Sequence, residues 1–167
     1  MTGVQTCALP IWAYLVARAI QFFLPGVPQV YYVGLLAGHN DSDLLTRSGV
    51  GRDINRHHYS RAEIKAAMQR PVVQDLLRLI RLRNRHPAFN GHFELQDSPP
   101  ETLALQWTAG EHRATLCIDL RTLVGHIALR DVAGEQRHAL QASLTDRRAG
   151  AAPDVHTPAS EPSGHSF

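Results

Sequence analysis

The hydrophobic period of the chain changes once, and this change limits the folds available to it. From residue 92 to 141, apolar and polar side chains alternate in the stretches HFELQ, TLALQWT, RATLCIDLR, GHIALRDV and QRHALQ. Alternation at every second residue is typical of strands with one buried face. The turn-like segments DSPPE, AGEH and TLVG separate the first four stretches. The sequence therefore predicts a small antiparallel sheet in its C-terminal part.

The preceding part of the chain follows a helical period. From Trp12 to Phe23, apolar residues recur at three- and four-residue spacing, and the segment LPG closes the predicted helix. The next segment, residues 28–33, is rich in aromatic and β-branched residues and nearly all apolar. It predicts a strand covered on both faces, as in a parallel sheet, with Tyr31 and Tyr32 in the core rather than on a sugar-binding platform.

A long polar loop and two helices are expected next. Residues 35–59 carry no clear period, with at most one helical turn around Ser42 to Arg47, and loops of this length are usually functional. Ser60 and Glu63 have the spacing of a capping box before a short helix. Pro71 is placed at the first turn of another helix that extends to residue 86.

Composition excludes several classes of partner. The chain is 44% hydrophobic and 19% charged, as in globular proteins, and its formal charge of +2 is too small to indicate nucleic-acid binding. Arg78, Arg81 and Arg85 fall on one side of a predicted helix, as on any solvated face. The two cysteines do not make a disulfide framework, so we expect a reducing, cytoplasmic location. No apolar run reaches the roughly 18 residues needed to span a bilayer, so we expect no membrane partner.

Both ends of the chain differ from the middle. Residues 1–11, MTGVQTCALPI, follow neither a helical nor an alternating period and are expected to be a translated sequencing adapter. On that expectation the chain is a C-terminal fragment and the protein extends upstream. Residues 142–167 are rich in Ala, Pro, Ser and Gly, and we expect them to be disordered.

The loop segment GVGRDINRHHY, residues 49–59, admits four uses: a solvated connection, a metal site, a phosphate cradle or a wall of a sugar pocket. Its adjacent histidines, His57 and His58, would point to opposite sides of an extended segment. Together with Asp53 and His39 they match no common zinc spacing, so no metal is expected. The glycines precede no helix N-terminus, which disfavours a phosphate cradle.

Three longer motifs carry a resemblance to a known family. AIQFFLPGVPQVYYVGLLAGHNDSDLL, GRDINRHHYS and RPVVQDLLRLIRLRNRHPAFNGHFEL closely resemble the C-terminal third of the sucrose phosphorylases and their relatives in glycoside hydrolase family 13, the α-amylase family. The match is dense over residues 13–95 and looser up to residue 140. The combination of VGLLAG with GRDINRH is the most specific part of it.

The resemblance implies an α/β fold, the C-terminal slice of a (β/α)8 TIM barrel followed by a small antiparallel β domain. Residues 13–23 would be the seventh barrel helix, 28–33 the eighth strand and 71–86 the eighth helix. The implied division is 12–90 for the end of the barrel and 91–141 for the β domain. Because barrel active sites lie at the C-terminal ends of the strands, the loop after Gly34 would lie near the chemistry.

The implied reaction is a retaining glucosyl transfer, in which phosphate replaces water and sucrose yields α-glucose 1-phosphate and fructose. The family's nucleophile, acid/base and stabilising carboxylate would all precede residue 12, so no catalytic residue is expected in this chain and the chain alone should be inactive. The implied partners are small molecules, sucrose or a related α-glucoside and inorganic phosphate, without a cofactor. A homodimer stays open for the full-length enzyme.

By resemblance, Arg52 holds the glucosyl hydroxyl farthest from the reacting carbon, a role that suits the fixed fork of a guanidinium. Gly49 and Gly51 would allow the backbone to bend and aim it. The alternative is that Arg52 fixes the loop through an ion pair with an acid such as Asp53. Asn55 and Arg56 are weaker candidates for the same wall, since a long loop also needs internal hydrogen bonds.

Other functions stay open at this point. Phosphorylases of sucrose 6'-phosphate, glucosylglycerol or glucosylglycerate share most of these motifs, as do α-glucosidase-like and amylosucrase-like members of the family. The second position of HHY departs from the aromatic or amide residue that is more common there, which leaves room for a different acceptor or leaving group. A non-catalytic carbohydrate-binding or interaction module is the alternative outside the enzymes.

Overall fold

The computed structural model describes residues 11–140. Five α-helices come first, with a 3-10 helix at Gly51–Asn55 and another at Pro87–Asn90. The helices are α1 (Ile11–Phe23), α2 (Tyr32–Leu35), α3 (Ser42–Ser48), α4 (Arg61–Met68) and α5 (Pro71–Arg85). The strands are β1 (His92–Leu95), β2 (Thr102–Ala109), β3 (His112–Asp119), β4 (Val124–Asp131) and β5 (Gly134–Ala139).

The predicted antiparallel sheet is confirmed. All five strands pair with their sequence neighbours in the order β1-β2-β3-β4-β5, and every pairing is antiparallel. The register places Leu105 opposite Leu116 and Leu116 opposite Ile127, so one buried row crosses the three central strands. The alternation seen in the sequence therefore becomes one face that is covered and one that is more exposed.

Helices α1 and α5 share a single hydrophobic core with the sheet. Ala19 and Phe23 of α1 and Val73 and Leu76 of α5 are at most 1% exposed. The sheet contributes side chains to the same cluster from β2, β3 and β4, namely Leu105, Trp107, Ala114, Leu116, Ile118 and Ile127. The helical part and the strand part of the described chain are therefore packed together through apolar contacts.

Local signals in the sequence located the main helices. The predicted helix ending at Phe23 is α1, and the helix opened by Pro71 is α5. At α4 the predicted capping box is present, since the Ser60 hydroxyl accepts from the Glu63 backbone and the Glu63 carboxylate accepts from the Ser60 backbone. The exposed positions of Arg78, Arg81 and Arg85 agree with a solvated helix face.

The strand predicted over residues 28–33 does not form within the described residues. Residues 28–31 are not part of any helix or strand, and α2 begins at Tyr32. A β-strand requires a hydrogen-bonded neighbour, and within residues 11–140 each of the described strands pairs only inside the C-terminal sheet. No strand lies beside this segment in the described residues, and its C-terminal part enters α2, where Val33 and the following Leu36 are buried.

The expectation that Tyr31 and Tyr32 lie in the core is also wrong. Tyr31 is 50% exposed and Tyr32 is 39% exposed, and their rings lie 4.5 Å apart between centroids. The loop that follows holds more structure than the single helical turn expected of it. It contains α3, two turns long, and the 3-10 helix over Gly51–Asn55.

Two expectations fall on other parts of the chain. The adapter at 1–11 and the disordered tail at 142–167 lie outside the described residues, except for Ile11, which begins α1. Within the described residues, none of the helices combines the length and the apolar character that crossing a membrane requires.

Candidate functional site

The polar loop is built on α3. Asp41 caps this helix, because its carboxylate accepts a hydrogen bond from the Leu44 backbone at 2.8 Å. Gly49 ends the helix with a φ of 67°, the left-handed conformation that glycine adopts without a steric penalty. Gly51 follows as the first residue of the 3-10 helix. Of the two glycines expected to bend this segment, Gly49 therefore supplies the sharp turn.

His57 joins three elements of the loop. Its Nδ1 lies 2.7 Å from Oδ2 of Asp41, and its Nε2 lies 3.2 Å from Oε1 of Glu63 at the start of α4. Its backbone carbonyl accepts a hydrogen bond from the Tyr32 hydroxyl at 3.1 Å. The ring of Tyr59 packs against the imidazole at 4.5 Å between centroids, nearly perpendicular to it. His57 therefore fixes the end of the loop to α2, α3 and α4 at once.

A cleft of about 630 Å³ opens beside this network. The Arg70 guanidinium shapes one side by donating to the carbonyls of Leu36 and Ala37 at 3.2 and 2.9 Å. At Gly38 an added Cβ would collide with the Tyr59 hydroxyl, so a larger residue there would have to displace the Tyr59 side chain. The charged and aromatic side chains that line the cleft are His39, Asp41, Asp43, Arg47, His57, Tyr59 and Arg70.

The hydrogen bonds of the network shift the titration of its members. The Asp41 carboxylate, followed by that of Glu63, raises the pKa of His57 above its ordinary value. The hydrogen bond from His57 lowers the pKa of Asp41. Hydrogen bonds from Ser60, and then from His57, lower the pKa of Glu63. Burial raises the pKa of the Tyr59 hydroxyl.

The three predicted substrate-binding residues lie together. Arg52 and Asn55 belong to the 3-10 helix, Arg56 caps its end, and all three are exposed. They do not line the cleft. Among residues 11–140 the side chain of Arg52 forms no ion pair, so the expected alternative partner, Asp53, does not hold it.

The sequence did not reveal the residues that organise the loop. Asp41 carries a usable local signal, because an aspartate directly before a helix is a common N-cap. The roles of His57 and Arg70 have no such signal, since their partners at Asp41, Leu36 and Ala37 are far away along the chain. In the described part of the chain, no group of three or more His, Cys, Asp or Glu side chains is arranged to hold a metal ion.

Several curated proteins are similar in sequence to this chain. The glucosylglycerol phosphorylase of Marinobacter adhaerens is 51% identical over 127 residues, 75% of this chain and 26% of the relative. The sucrose 6(F)-phosphate phosphorylase of Thermoanaerobacterium thermosaccharolyticum is 54% identical over 66% of this chain and 22% of its own length. The sucrose phosphorylase of Agrobacterium vitis is 56% identical over 63% of this chain and 22% of its own length.

A solved structure agrees with these sequences. The crystal structure of sucrose 6F-phosphate phosphorylase from Thermoanaerobacter thermosaccharolyticum superposes with a TM-score of 0.75 and 48% identity. It covers 77% of this chain, which spans 26% of that protein. No family model matches the chain.

The relatives agree with one another and with the motifs found in the sequence. Each of these four is a phosphorylase by name, although they are named for different substrates. The aligned parts cover 75% of this chain for the Marinobacter sequence and 77% for the crystal structure. The chain is therefore similar in sequence and in structure to the sucrose phosphorylase-like enzymes, and it spans about a quarter of their length.

Proposed function

We propose that these residues are the C-terminal part of a retaining glucoside phosphorylase that converts sucrose and phosphate into α-glucose 1-phosphate and fructose. The observation that carries the proposal is the identity of 51 to 56% with three phosphorylases. This similarity favours an enzyme over a carbohydrate-binding module. The chain itself spans 26% or less of these relatives, so the activity belongs to a longer protein.

The leaving group is the open part of the proposal. The relatives named above are specific by name for glucosylglycerol, sucrose 6(F)-phosphate or sucrose, and two more distant ones for glucosylglycerate. All of these are glucosides, so the glucosyl half of the substrate is the shared part. A loop that contacts the glucosyl unit would be useful with any of these substrates. We therefore propose that the loop carrying Arg52 contacts the glucosyl unit rather than the leaving group.

We further propose a barrel position for the helical part. Helix α1, the unpaired segment at 28–31 and α5 would be the seventh helix, eighth strand and eighth helix of a (β/α)8 barrel, so that 12–90 ends the barrel and 91–141 forms a β domain. The order of helix, extended segment, long loop and helix supports this placement. In a complete barrel, strands on both sides would supply the inter-strand hydrogen bonds that residues 28–31 do not make within the described chain.

In the proposed reaction, two displacements at the anomeric carbon preserve its configuration. A carboxylate attacks this carbon while an acid protonates the departing fructose oxygen, and phosphate oxygen then displaces the carboxylate. The residues of this chain do not perform these steps. Arg52 would donate hydrogen bonds to the glucose hydroxyl opposite the reacting carbon and so orient the ring, with Asn55 and Arg56 beside it. Arg52 is exposed and forms no ion pair with any residue from 11 to 140, which favours this contact.

The remaining parts of the proposal concern partners and location. The substrates are small molecules, a glucoside and inorganic phosphate, and the residues that we assign use no cofactor. A cytoplasmic enzyme fits the proposed phosphorolysis, because phosphate is a co-substrate. For the complete enzyme a homodimer is open, and the mass of the purified protein in solution would determine it.

A chimeric enzyme tests the proposal. Residues 13–140 would replace the matching segment of the Thermoanaerobacterium phosphorylase, which is 54% identical. We expect phosphate-dependent release of glucose 1-phosphate, with kcat/KM falling about tenfold or more in Arg52→Lys, because the lysine loses the planar fork. Arg61→Lys, at an exposed arginine of α4, is the matched control and should change little.

The 167-residue chain alone is the negative control of this assay and should release no glucose 1-phosphate. Wild-type turnover in Arg52→Lys would contradict the assignment of this arginine to the glucosyl unit. Turnover by the chain alone would contradict the proposal that its catalytic carboxylates lie elsewhere.

A further inference from the structure

Both ring nitrogens of His57 face carboxylate oxygens. Nδ1 lies 2.7 Å from Asp41 and Nε2 lies 3.2 Å from Glu63, and the ring is one third exposed. A carboxylate can only accept hydrogen bonds, so each nitrogen must carry a proton if both contacts are hydrogen bonds. A neutral imidazole has one N–H and can make only one of them. The arrangement is therefore complete only with the imidazolium.

The two carboxylates belong to opposite ends of the loop. Asp41 precedes α3 and caps it, whereas Glu63 lies in the first turn of α4. Each has a second task in its own element, since Asp41 Oδ1 accepts from the Leu44 backbone and Glu63 Oε2 accepts from the Ser60 backbone at 2.7 Å. His57 thus connects the start of α3 to the start of α4 without taking away either helix cap.

Arg52 lies between these two attachment points. The backbone N–H of Asp41 donates to the carbonyl of Ile54 at 2.6 Å. This hydrogen bond closes residues 41–54 into a backbone ring that contains most of the 3-10 helix. The Arg52 side chain itself forms no ion pair in the described part of the chain, so its position depends on the backbone of this ring. Because His57 contacts both Asp41 of this ring and Glu63, it connects the ring to α4.

We propose that His57, as the imidazolium between Asp41 and Glu63, is the positioning residue of the Arg52 loop. It touches no substrate in this role. It acts by holding residues 51–56 in place, so that Arg52 meets the glucosyl unit without having to order the loop first. The effect on sugar binding rests on the proposed function, whereas the effect on loop order does not.

The role has a defined pH window. Below the raised pKa of His57 the imidazolium makes both contacts, and its contribution to loop stability is lost as the pH rises through that pKa. The carboxylates have lowered pKa values, so their contribution is lost as the pH falls through these values. The other charged or titratable groups around the cleft are His39, Asp43, Arg47, Tyr59 and Arg70.

Hydrogen exchange of the loop amides in the 167-residue chain tests the positioning role directly. In His57→Gln we expect the protection factors of residues 51–56 to fall several-fold, because a neutral amide cannot donate from both ends. In the parent chain the same factors should fall as the pH rises through the His57 titration, followed in the imidazole NMR signals. His58→Gln is the matched control, since His58 is adjacent and exposed.

A second variant protects the test against misfolding. Glu63→Gln retains a residue that completes a capping box but removes one of the two carboxylates, so α4 should stay protected while the midpoint of the His57 titration moves to lower pH. An unchanged midpoint would overturn the proposal, and so would loop protection factors that are the same in His57→Gln and the parent chain.

The chimeric enzyme separates this inference from the proposed function. If the loop loosens in His57→Gln and KM for the glucoside rises with a new pH dependence while kcat changes less, both ideas are supported. If the loop loosens and KM is unchanged, the positioning role stands and the glucosyl contact of Arg52 is overturned. If the loop does not loosen, the positioning role is overturned whatever happens to KM.

Discussion

At the scale of single residues, Trp107 joins the sheet to the end of α1 through a polar contact. Its indole N–H donates to the carbonyl of Phe23, the last residue of that helix, at 2.6 Å. The guanidinium of Arg83 lies 4.7 Å from the rings of both Phe89 and Trp107 and donates to the Gly26 carbonyl. Carbonyls at and after the end of a helix lack intrahelical donors. Trp107 supplies the donor for Phe23, and Arg83 supplies the donor for Gly26.

Replacing Trp107 by phenylalanine should therefore destabilise the fold. The variant keeps an aromatic ring but leaves the buried Phe23 carbonyl without its donor, which costs about 1 to 3 kcal/mol in the free energy of unfolding. Urea denaturation of both proteins measures this difference. The isosteric 3-benzothienylalanine at this position is the control for shape, because it lacks only the N–H. If the isostere were as stable as tryptophan, the hydrogen bond would have no net value.

At the scale of elements, the helices and strands that the sequence predicted best are those with a capping residue, a proline or an alternating pattern of their own. The capping box at α4, the proline at the start of α5 and the alternation of the strands could all be read from neighbouring residues. The segment at 28–33 could not, because its conformation depends on whether another strand lies beside it. Helix α3 was underestimated, although Asp41 and Gly49 are an ordinary pair of end signals.

Loss of the Ser60 hydroxyl should loosen α4 specifically. Ser60→Ala removes the acceptor for the Glu63 backbone N–H, which typically costs about 1 kcal/mol of helix stability. Hydrogen exchange of the α4 amides measures the effect. Ser42→Ala, at the exposed first residue of α3, is the control, since the Ser42 side chain caps nothing there. Equal protection of α4 in the two variants would argue against a role for this cap.

At the scale of the whole molecule, the helices and the sheet meet at a pair of histidines. His86, after α5, and His112, at the start of β3, have ring centroids 6.0 Å apart. Nδ1 of His112 is buried and has no hydrogen-bond partner among residues 11–140, whereas Nδ1 of His86 accepts from the Ala88 backbone. Burial, and then the neighbouring His112, lowers the pKa of His86. The junction therefore favours the neutral imidazole of His86.

This junction should weaken the fold in acid. Because the unfolded chain binds a proton at His86 more readily than the folded one, stability is lost as the pH falls below the ordinary histidine pKa of about 6.5. Urea midpoints at pH 7 and pH 5 should therefore differ less in His86→Asn, which keeps a cap acceptor and cannot titrate. His92→Gln, at an exposed histidine, should behave like the parent chain. Identical pH dependence in His86→Asn and the parent would contradict this account.

In the candidate site, the residues close together along the chain were predicted from the sequence, and the contacts between residues far apart along it were not. Arg52, Asn55 and Arg56 are adjacent along the chain, and motif resemblance was sufficient to single them out. The cleft and the network at His57 depend on contacts between Asp41, His57 and Glu63, which lie in separate elements. No periodicity or spacing rule relates such residues, because their proximity results from the path of the loop.

The sequence alone was sufficient to predict the starts of α4 and α5, the antiparallel sheet with its buried face, and, through its motifs, the similarity to the phosphorylases. Each of these depends on side chains within a few residues of one another or on a contiguous motif. Only the tertiary structure decided that residues 28–31 stay unpaired, that Tyr31 and Tyr32 are exposed, and that His57 bridges two carboxylates. These outcomes depend on which distant partners are present, since hydrogen bonds and burial are satisfied in space rather than along the chain.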